Sequence, residues 1–92
     1  MFEWDAAKAA ANLAKHGVPF EFGSRVFDDP HWLEIDVSRA VDGEKRAKAV
    51  GHIDGKLYAV VFTLRGAVRR IVSARRTNKI EERLYADRSH EV

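Results

Sequence analysis

Arginine is the side chain best placed to do chemistry in this chain of 92 residues. Four arginines fall within 69–76, and the longer span from Gly55 to Ile80 holds seven basic residues and no acidic one. Arginine binds phosphate through a bidentate fork and keeps its charge at physiological pH. A single surface arginine more often pairs with a nearby carboxylate, with little energetic consequence. The acid-free span as a whole nevertheless predicts an anion-binding site.

Three other residues are candidates for proton transfer. His16 ends a predicted helix and could act as a general acid or base, although a histidine in that position is more often a capping or packing residue. Glu44 lies two residues before Arg46 and either pairs with it or points with it at a ligand. Tyr85 either packs against Ile71 or exposes its hydroxyl.

Several classes of site are excluded by what the sequence lacks. There is no cysteine, so disulfides, thiolate metal sites and cysteine nucleophiles are ruled out. The four histidines have no HxxxH or HxH spacing, and Asp28-Asp29 beside Pro30 is more typical of a turn than of a cation site. No glycine-rich phosphate loop and no GxSxG motif is present. We therefore predict no metal and no cofactor.

The charge is divided unevenly along the chain. Residues 1–44 hold 4 basic and 9 acidic side chains, a net −5, whereas residues 45–92 hold 12 basic and 5 acidic ones, a net +7. This asymmetry favours a polyanion or an acidic protein as partner. The length indicates one domain, 1–92. Without a membrane-spanning run or a recognisable signal peptide, the expected location is the cytoplasm.

The spacing of apolar residues predicts an α+β domain. A short N-terminal strand, a helix over 5–15 that stops at Gly17, and a second helix opening at Pro19 precede a strand with period-two alternation around Ile35. Asp54-Gly55 and Gly66-Ala67 are typical hairpin turns, and they join three runs into an antiparallel meander. The runs cover 46–53, 56–65 and 68–74. A helix over 77–89 follows, with a capping box at Asn78 and an apolar stripe of Ile80 and Leu84.

The two-residue turns also predict the strand register. Ala49 should pair with Val60 and Ala47 with Phe62, while on the other hairpin Phe62 should pair with Ile71 and Val60 with Ser73. Side chains alternate between the two faces of a sheet, so one face should carry the helices. The other face should be open and basic, with Arg46, Thr63 and Arg70 in one cross-strand row near Lys48 and Arg65.

Several segments, in order and spacing, resemble the BrnT toxin family over most of the chain, from Phe2 to Tyr85. The matching segments are Phe2-Glu3-Trp4-Asp5, Lys8, Asn12, Lys15-His16-Gly17-Val18, Phe20-Glu21, Val26-Phe27-Asp28-Asp29-Pro30, Gly43-Glu44-x-Arg46, Gly51, Arg70-Ile71-Val72-Ser73-Ala74-Arg75, Glu81 and Tyr85. The sequence departs from the family pattern at Thr77 and Glu82, both on the last helix.

The resemblance implies a fold similar to RelE-type ribonucleases, with two N-terminal helices on a mainly antiparallel sheet of four to five strands and a C-terminal helix. It implies the toxin of a type II toxin–antitoxin pair, an endoribonuclease that inhibits translation. Its partners would be RNA and a BrnA-type antitoxin, with operator DNA contacted only through the antitoxin. The alternative is a non-catalytic module that binds nucleic acid or the antitoxin.

The implied reaction is metal-independent RNA cleavage, in which the ribose 2′-hydroxyl attacks the neighbouring phosphate. The protein must then supply orientation, proton transfer and positive charge. We assign Arg46, Arg70 and Arg75 to phosphate binding and charge stabilisation. The proton-transfer candidates are His16, Glu44 and Tyr85. Additional RNA contacts are assigned to Lys48, Arg65, Arg69 and Arg76.

Overall fold

The computed structural model describes residues 1–39, 41 and 43–89, and it shows an α+β arrangement. No helix within these residues has the length and apolar character needed to cross a membrane. The strands are β1 (Phe2–Glu3), β2 (Leu33–Asp36), β3 (Ala47–Ile53), β4 (Lys56–Arg65) and β5 (Val68–Arg76). The helices are α1 (Ala6–His16), α2 (Phe20–Gly23), a 3₁₀ helix directly after it (Ser24–Asp28), and α3 (Lys79–Ser89).

The predicted meander forms the centre of the sheet. Strands β3, β4 and β5 are antiparallel, and the strand order is β1-β5-β4-β3-β2. Asp54 and Gly55 both have positive φ, 51° and 83°, as a type I′ turn requires, and Gly66 supplies the positive φ of the second turn. The short strand β1 pairs with β5 in parallel and β2 pairs with β3 antiparallel, so these two strands form the edges.

The helical face of the sheet is the side covered by α1, α2 and the 3₁₀ helix, and it holds the main core. Asp5 caps α1 by accepting a hydrogen bond from the Ala7 amide at 2.8 Å, and Gly17 ends the helix in the left-handed conformation. The Asn12 side chain bonds both the amide and the carbonyl of Ala74 on β5. The core residues are Val18, Phe20, Val26, Ala49, Ile53, Val60, Phe62, Ile71 and Ala74.

The second hairpin contains a β-bulge, and its register therefore differs from the predicted one. Phe62 pairs with Ile71 as predicted, but Val61 then pairs with Ser73, and the register shifts between Val61 and Phe62. The predicted pair of Val60 with Ser73 is wrong, because Val72 is an extra residue and Val60 pairs with Ala74. As a result Ala74 enters the core on the helical face. Residues beyond the bulge are displaced by one position relative to the prediction.

The last helix also departs from the prediction, because α3 lies on the face opposite α1 and α2. Tyr85 is buried there with Val50 and Ala59 in a second small core, and not against Ile71. The predicted capping box is present: the Glu81 amide donates to the Asn78 side chain at 2.9 Å. The predicted apolar stripe is wrong, since Ile80 and Leu84 are 69% and 43% exposed. Glu81 and Tyr85 face inward instead.

Candidate functional site

The basic face is the sheet surface opposite the helical face, on the side of Lys48, Thr63 and Arg70. Thr63 of β4 and Arg70 of β5 are paired across the hairpin, as the register predicted. Arg46 directly precedes β3, where its amide donates to the Ser38 hydroxyl at 2.8 Å and its carbonyl accepts from the Val37 amide. Alternation places its side chain on the same face as Lys48. The predicted row of Arg46, Thr63 and Arg70 therefore has a structural basis.

Two polar atoms in this row are buried and lack a hydrogen-bond partner among the residues that the structure describes. They are Arg46 Nε and Thr63 Oγ1, and Thr63 as a whole is only 3% exposed. Buried polar groups in native proteins are nearly always satisfied, so an unpaired one needs a physical explanation. An N–H and a hydroxyl can both donate to an anionic oxygen. An oxyanion would satisfy both atoms if a neighbouring side chain moved to uncover them.

Arg70 makes a contact with the N-terminal strand that was not predicted. Its Nη1 donates to Glu3 Oε2 at 2.5 Å. Glu3 reaches the basic face because its neighbours Phe2 and Trp4 both pack toward the core on the helical face, where Phe2 contacts Phe27. The sequence contained a signal for this placement, the alternation of apolar and acidic residues in β1.

At the other end of the basic face a single buried carboxylate joins two cations. Arg75 donates from Nη1 and Nη2 to the two oxygens of Glu81 at 2.9 and 2.7 Å, and Lys48 Nζ lies 2.5 Å from Glu81 Oε2. Burial acts to raise the pKa of Glu81, but the hydrogen bonds from Arg75, Lys48 and Asn78 outweigh it and lower the pKa to about 2. Arg75 and Lys48 therefore both bind Glu81 of α3, and the three side chains together carry one net positive charge.

Tyr85 lies in a third cluster, at the end of β3. Its hydroxyl donates to Asp29 Oδ2 at 2.6 Å and lies 3.1 Å from His52 Nδ1. Burial and the hydrogen bond to Asp29 raise the pKa of Tyr85 to about 12. Burial acts to raise the pKa of Asp29 too, but hydrogen bonds from the His52 amide, Tyr85 and the His31 amide lower it. Asp29 thus both organises a turn, as the sequence suggested, and anchors α3.

The other predicted site residues are divided between the two faces. Arg65 pairs with Val68 at the end of the hairpin, on the basic face. Glu44 is exposed and lines a cleft of about 380 Å³ together with Arg46 and Thr63. His16 ends α1, the helix on the opposite side of the sheet.

Two of the predicted RNA contacts lie on the helical face. Arg69 pairs with Leu64, two positions from the Phe62 and Ile71 pair, so its side chain lies on the same face as theirs. There its guanidinium stacks on the Phe27 ring, 4.2 Å from the ring centroid. Arg76 lies over the Tyr58 ring and donates to the Leu57 carbonyl. Within the described residues no group of three or more His or carboxylate side chains is arranged to hold a metal ion.

The fold and this face define a class of protein: a small α+β domain whose sheet presents an arginine-rich surface suited to anions. A family model described as "Ribonuclease toxin, BrnT, of type II toxin-antitoxin system" matches residues 4–81. The chain therefore belongs to the BrnT family of ribonuclease toxins, and such a toxin has an antitoxin protein as its partner. No curated protein matches the chain significantly.

Proposed function

We propose that this protein is a metal-independent endoribonuclease with a RelE-like fold that cleaves RNA on the basic face and is neutralised by a BrnA-type antitoxin. The ribose 2′-hydroxyl is the nucleophile in such a reaction. The protein needs to bind the scissile phosphate, stabilise the charge that develops on it and move two protons.

The observation that carries the proposal is the row of Arg46, Thr63 and Arg70. Arg46 Nε and Thr63 Oγ1 are buried donors without a partner in the described part of the chain. Only Nη1 of Arg70 contacts Glu3, and Nη2 and Nε make no hydrogen bond with the described residues. A phosphate bound at this row would contact Arg70, and it would reach the covered donors Arg46 Nε and Thr63 Oγ1 after a side-chain movement that uncovers them.

The remaining cations have supporting roles in this proposal. Arg65 extends the positive surface along the hairpin, and the Lys48, Glu81 and Arg75 group contributes one net positive charge at the edge of α3. Arg75 pairs with Ala59, four positions along β4 from Thr63, so its charge would act on a neighbouring part of the RNA backbone from a position fixed by Glu81. Glu44, beside Arg46 in the cleft, remains a candidate for proton transfer.

The test is cleavage of RNA by the purified toxin, freed of antitoxin, in the presence of EDTA. Wild-type protein should cut RNA and leave a 2′,3′-cyclic phosphate, and it should not cut an oligonucleotide with a 2′-deoxyribose at the cleavage site. Arg70→Ala should lose the activity while keeping the wild-type circular dichroism spectrum and melting temperature. Arg88→Ala, which removes an exposed arginine from the last turn of α3, is the matched control.

Intact RNA with correctly folded wild-type protein would contradict the enzymatic proposal. Salt-dependent RNA binding without cleavage would then favour the non-catalytic module, since phosphate contacts release counterions. Binding of neither RNA nor antitoxin would contradict both. The antitoxin proposal has its own test, co-purification of the toxin with the product of an adjacent antitoxin gene.

A further inference from the structure

Glu3 occupies a position on the basic face that none of the roles above explains. It lies on β1, and β1 pairs with β5 at one edge of the sheet. Glu3 is in register with Arg70, and Arg70 is in register with Thr63. The carboxylate is therefore next to the arginine that the proposed function assigns to the phosphate. No other carboxylate in the described residues contacts Arg70.

The backbone around Glu3 fixes where its side chain points. Phe2 contacts the Phe27 ring and Trp4 contacts the Phe20 ring, both on the helical face. The Arg69 amide donates to the Met1 carbonyl at 3.0 Å, which ties the start of β1 to β5. Because the residues on both sides are held on one face, Glu3 is held on the other. Its orientation comes from aromatic packing and does not depend on a ligand.

Only one oxygen of this carboxylate is occupied. Oε2 accepts from Arg70 Nη1, whereas Oε1 has no partner among the described residues, and the side chain is 39% exposed. A carboxylate positioned in this way has an accessible lone pair next to a phosphate-binding guanidinium. Geometry of this kind is the first requirement for a general base.

The candidates named from the sequence are less well placed than Glu3. The Tyr85 hydroxyl donates to Asp29, and its pKa is raised to about 12, so at neutral pH it is protonated and is a poor general base. His16 ends α1 on the other side of the sheet. Glu44 lies beside Arg46, but it makes no ion pair or hydrogen bond within the described residues that would fix its orientation.

We infer that Glu3 is the general base of the reaction, an inference that rests on the proposed function. Glu3 Oε1 takes the proton of the 2′-hydroxyl, and O2′ forms a bond to phosphorus. The bond between phosphorus and the 5′-oxygen breaks, and the leaving oxygen takes a proton from water. The products are a 2′,3′-cyclic phosphate and a 5′-hydroxyl. Glu3 then returns its proton to solvent, so no oxidant, metal or co-reactant is consumed.

The test compares Glu3→Gln, Glu3→Asp and wild type on an RNA oligonucleotide over a range of pH. Glutamine keeps a hydrogen-bond acceptor for Arg70 and removes the base. We expect Glu3→Gln to lower kcat by about 10²- to 10⁴-fold, with KM within about threefold of wild type. Its pH profile should lose the acidic limb that reports a carboxyl group. Glu3→Asp should keep that limb and recover part of the rate.

The matched control is Glu21→Gln, which removes an exposed carboxylate from α2, on the helical face of the sheet. Its kcat should equal that of wild type. A Glu3→Gln protein with wild-type melting temperature, wild-type kcat and an unchanged acidic limb overturns the inference alone. Loss of the limb in Glu44→Gln, with Glu3→Gln active, assigns the base to Glu44 instead. An inactive wild-type protein removes the proposed function and this inference together.

Discussion

Arg75 on β5 and Glu81 on α3 form a bidentate ion pair across the turn that joins the strand to the helix. The same carboxylate contacts Lys48 on β3 and bonds the Asn78 amide at the start of α3. One side chain therefore connects the last helix, its cap and two strands. The ion pair places α3 on the basic face and limits how much of that face is open.

The first prediction concerns the acid stability that Glu81 provides. Its pKa in the folded protein is about 2, below its value in an unfolded chain, so the stabilisation is present above about pH 4.3 and is lost as pH falls through 2. Glu81→Gln should lower the free energy of unfolding at pH 7 by about 3 kcal/mol, the order of magnitude that this pKa difference represents.

Urea unfolding at pH 7, 4 and 2.5 measures the Glu81 effect. The difference between wild type and Glu81→Gln should shrink steadily toward the lowest pH. Glu82→Gln, at the exposed neighbouring position, should match wild type throughout. A constant difference at all three values would show that Glu81 acts through packing and not through its charge.

The second prediction concerns the Tyr85 hydroxyl. Tyr85→Phe removes the hydrogen bond to Asp29 and should destabilise the protein by about 1 to 3 kcal/mol at pH 7, since the acceptor is charged. The pKa of Tyr85 is raised, so this contribution is complete below about pH 10 and is lost as pH rises through about 12. Urea unfolding of both proteins at pH 7 and pH 11.5 should show a smaller difference at the higher pH.

The third prediction concerns close packing between β3 and the 3₁₀ helix. A Cβ added at Gly51 would lie 2.7 Å from the Val26 carbonyl oxygen, which is backbone and cannot rotate away. Gly51→Ala should therefore cost about 1 to 3 kcal/mol through overpacking. Thermal unfolding measures the loss. A melting temperature equal to that of wild type would mean that the 3₁₀ helix shifts without cost.

The fourth prediction concerns the salt dependence of RNA binding, measured with an uncleavable 2′-deoxy-substituted oligonucleotide. Arg46→Ala and Arg70→Ala should each weaken binding and lower the slope of log K against log salt by about 0.7, the change expected for one lost phosphate contact on a single strand. Arg69→Ala should leave the slope unchanged, since Arg69 is stacked on Phe27 on the helical face. Equal slopes in all three variants would show that the RNA does not bind at Arg46 and Arg70 on the basic face.

Much of the fold was predictable because local chemistry determines it. Asp54-Gly55 and Gly66-Ala67 specified both hairpins, and turn type sets register up to the first irregularity. The row of Thr63 and Arg70 followed from that register. The Asn78 and Glu81 capping box was also visible, since it needs only a spacing of three.

The errors came from interactions between segments that are distant in sequence. Nothing local in β5 marks Val72 as an extra residue, so the strand pair predicted beyond Ile71 is one position out of register. The prediction of which side of α3 is buried is wrong for the same reason. Glu81 is buried because Lys48 and Arg75 neutralise its charge, and a hydrophobic pattern cannot show this. Glu3 was overlooked as a site residue because its importance depends on the parallel pairing of β1 with β5.

The bulge at Val72 has a consequence for recognising related chains. In a regular strand, residues five positions apart point in opposite directions, so Arg70 and Arg75 would be separated by the thickness of the sheet. One extra residue reverses this parity and places both guanidinium groups on the same side. For two arginines known to share a face, an odd spacing therefore indicates a bulge between them. A relative that lacks the extra residue would hold the two arginines four positions apart on a regular strand, and they would still share one face without a bulge.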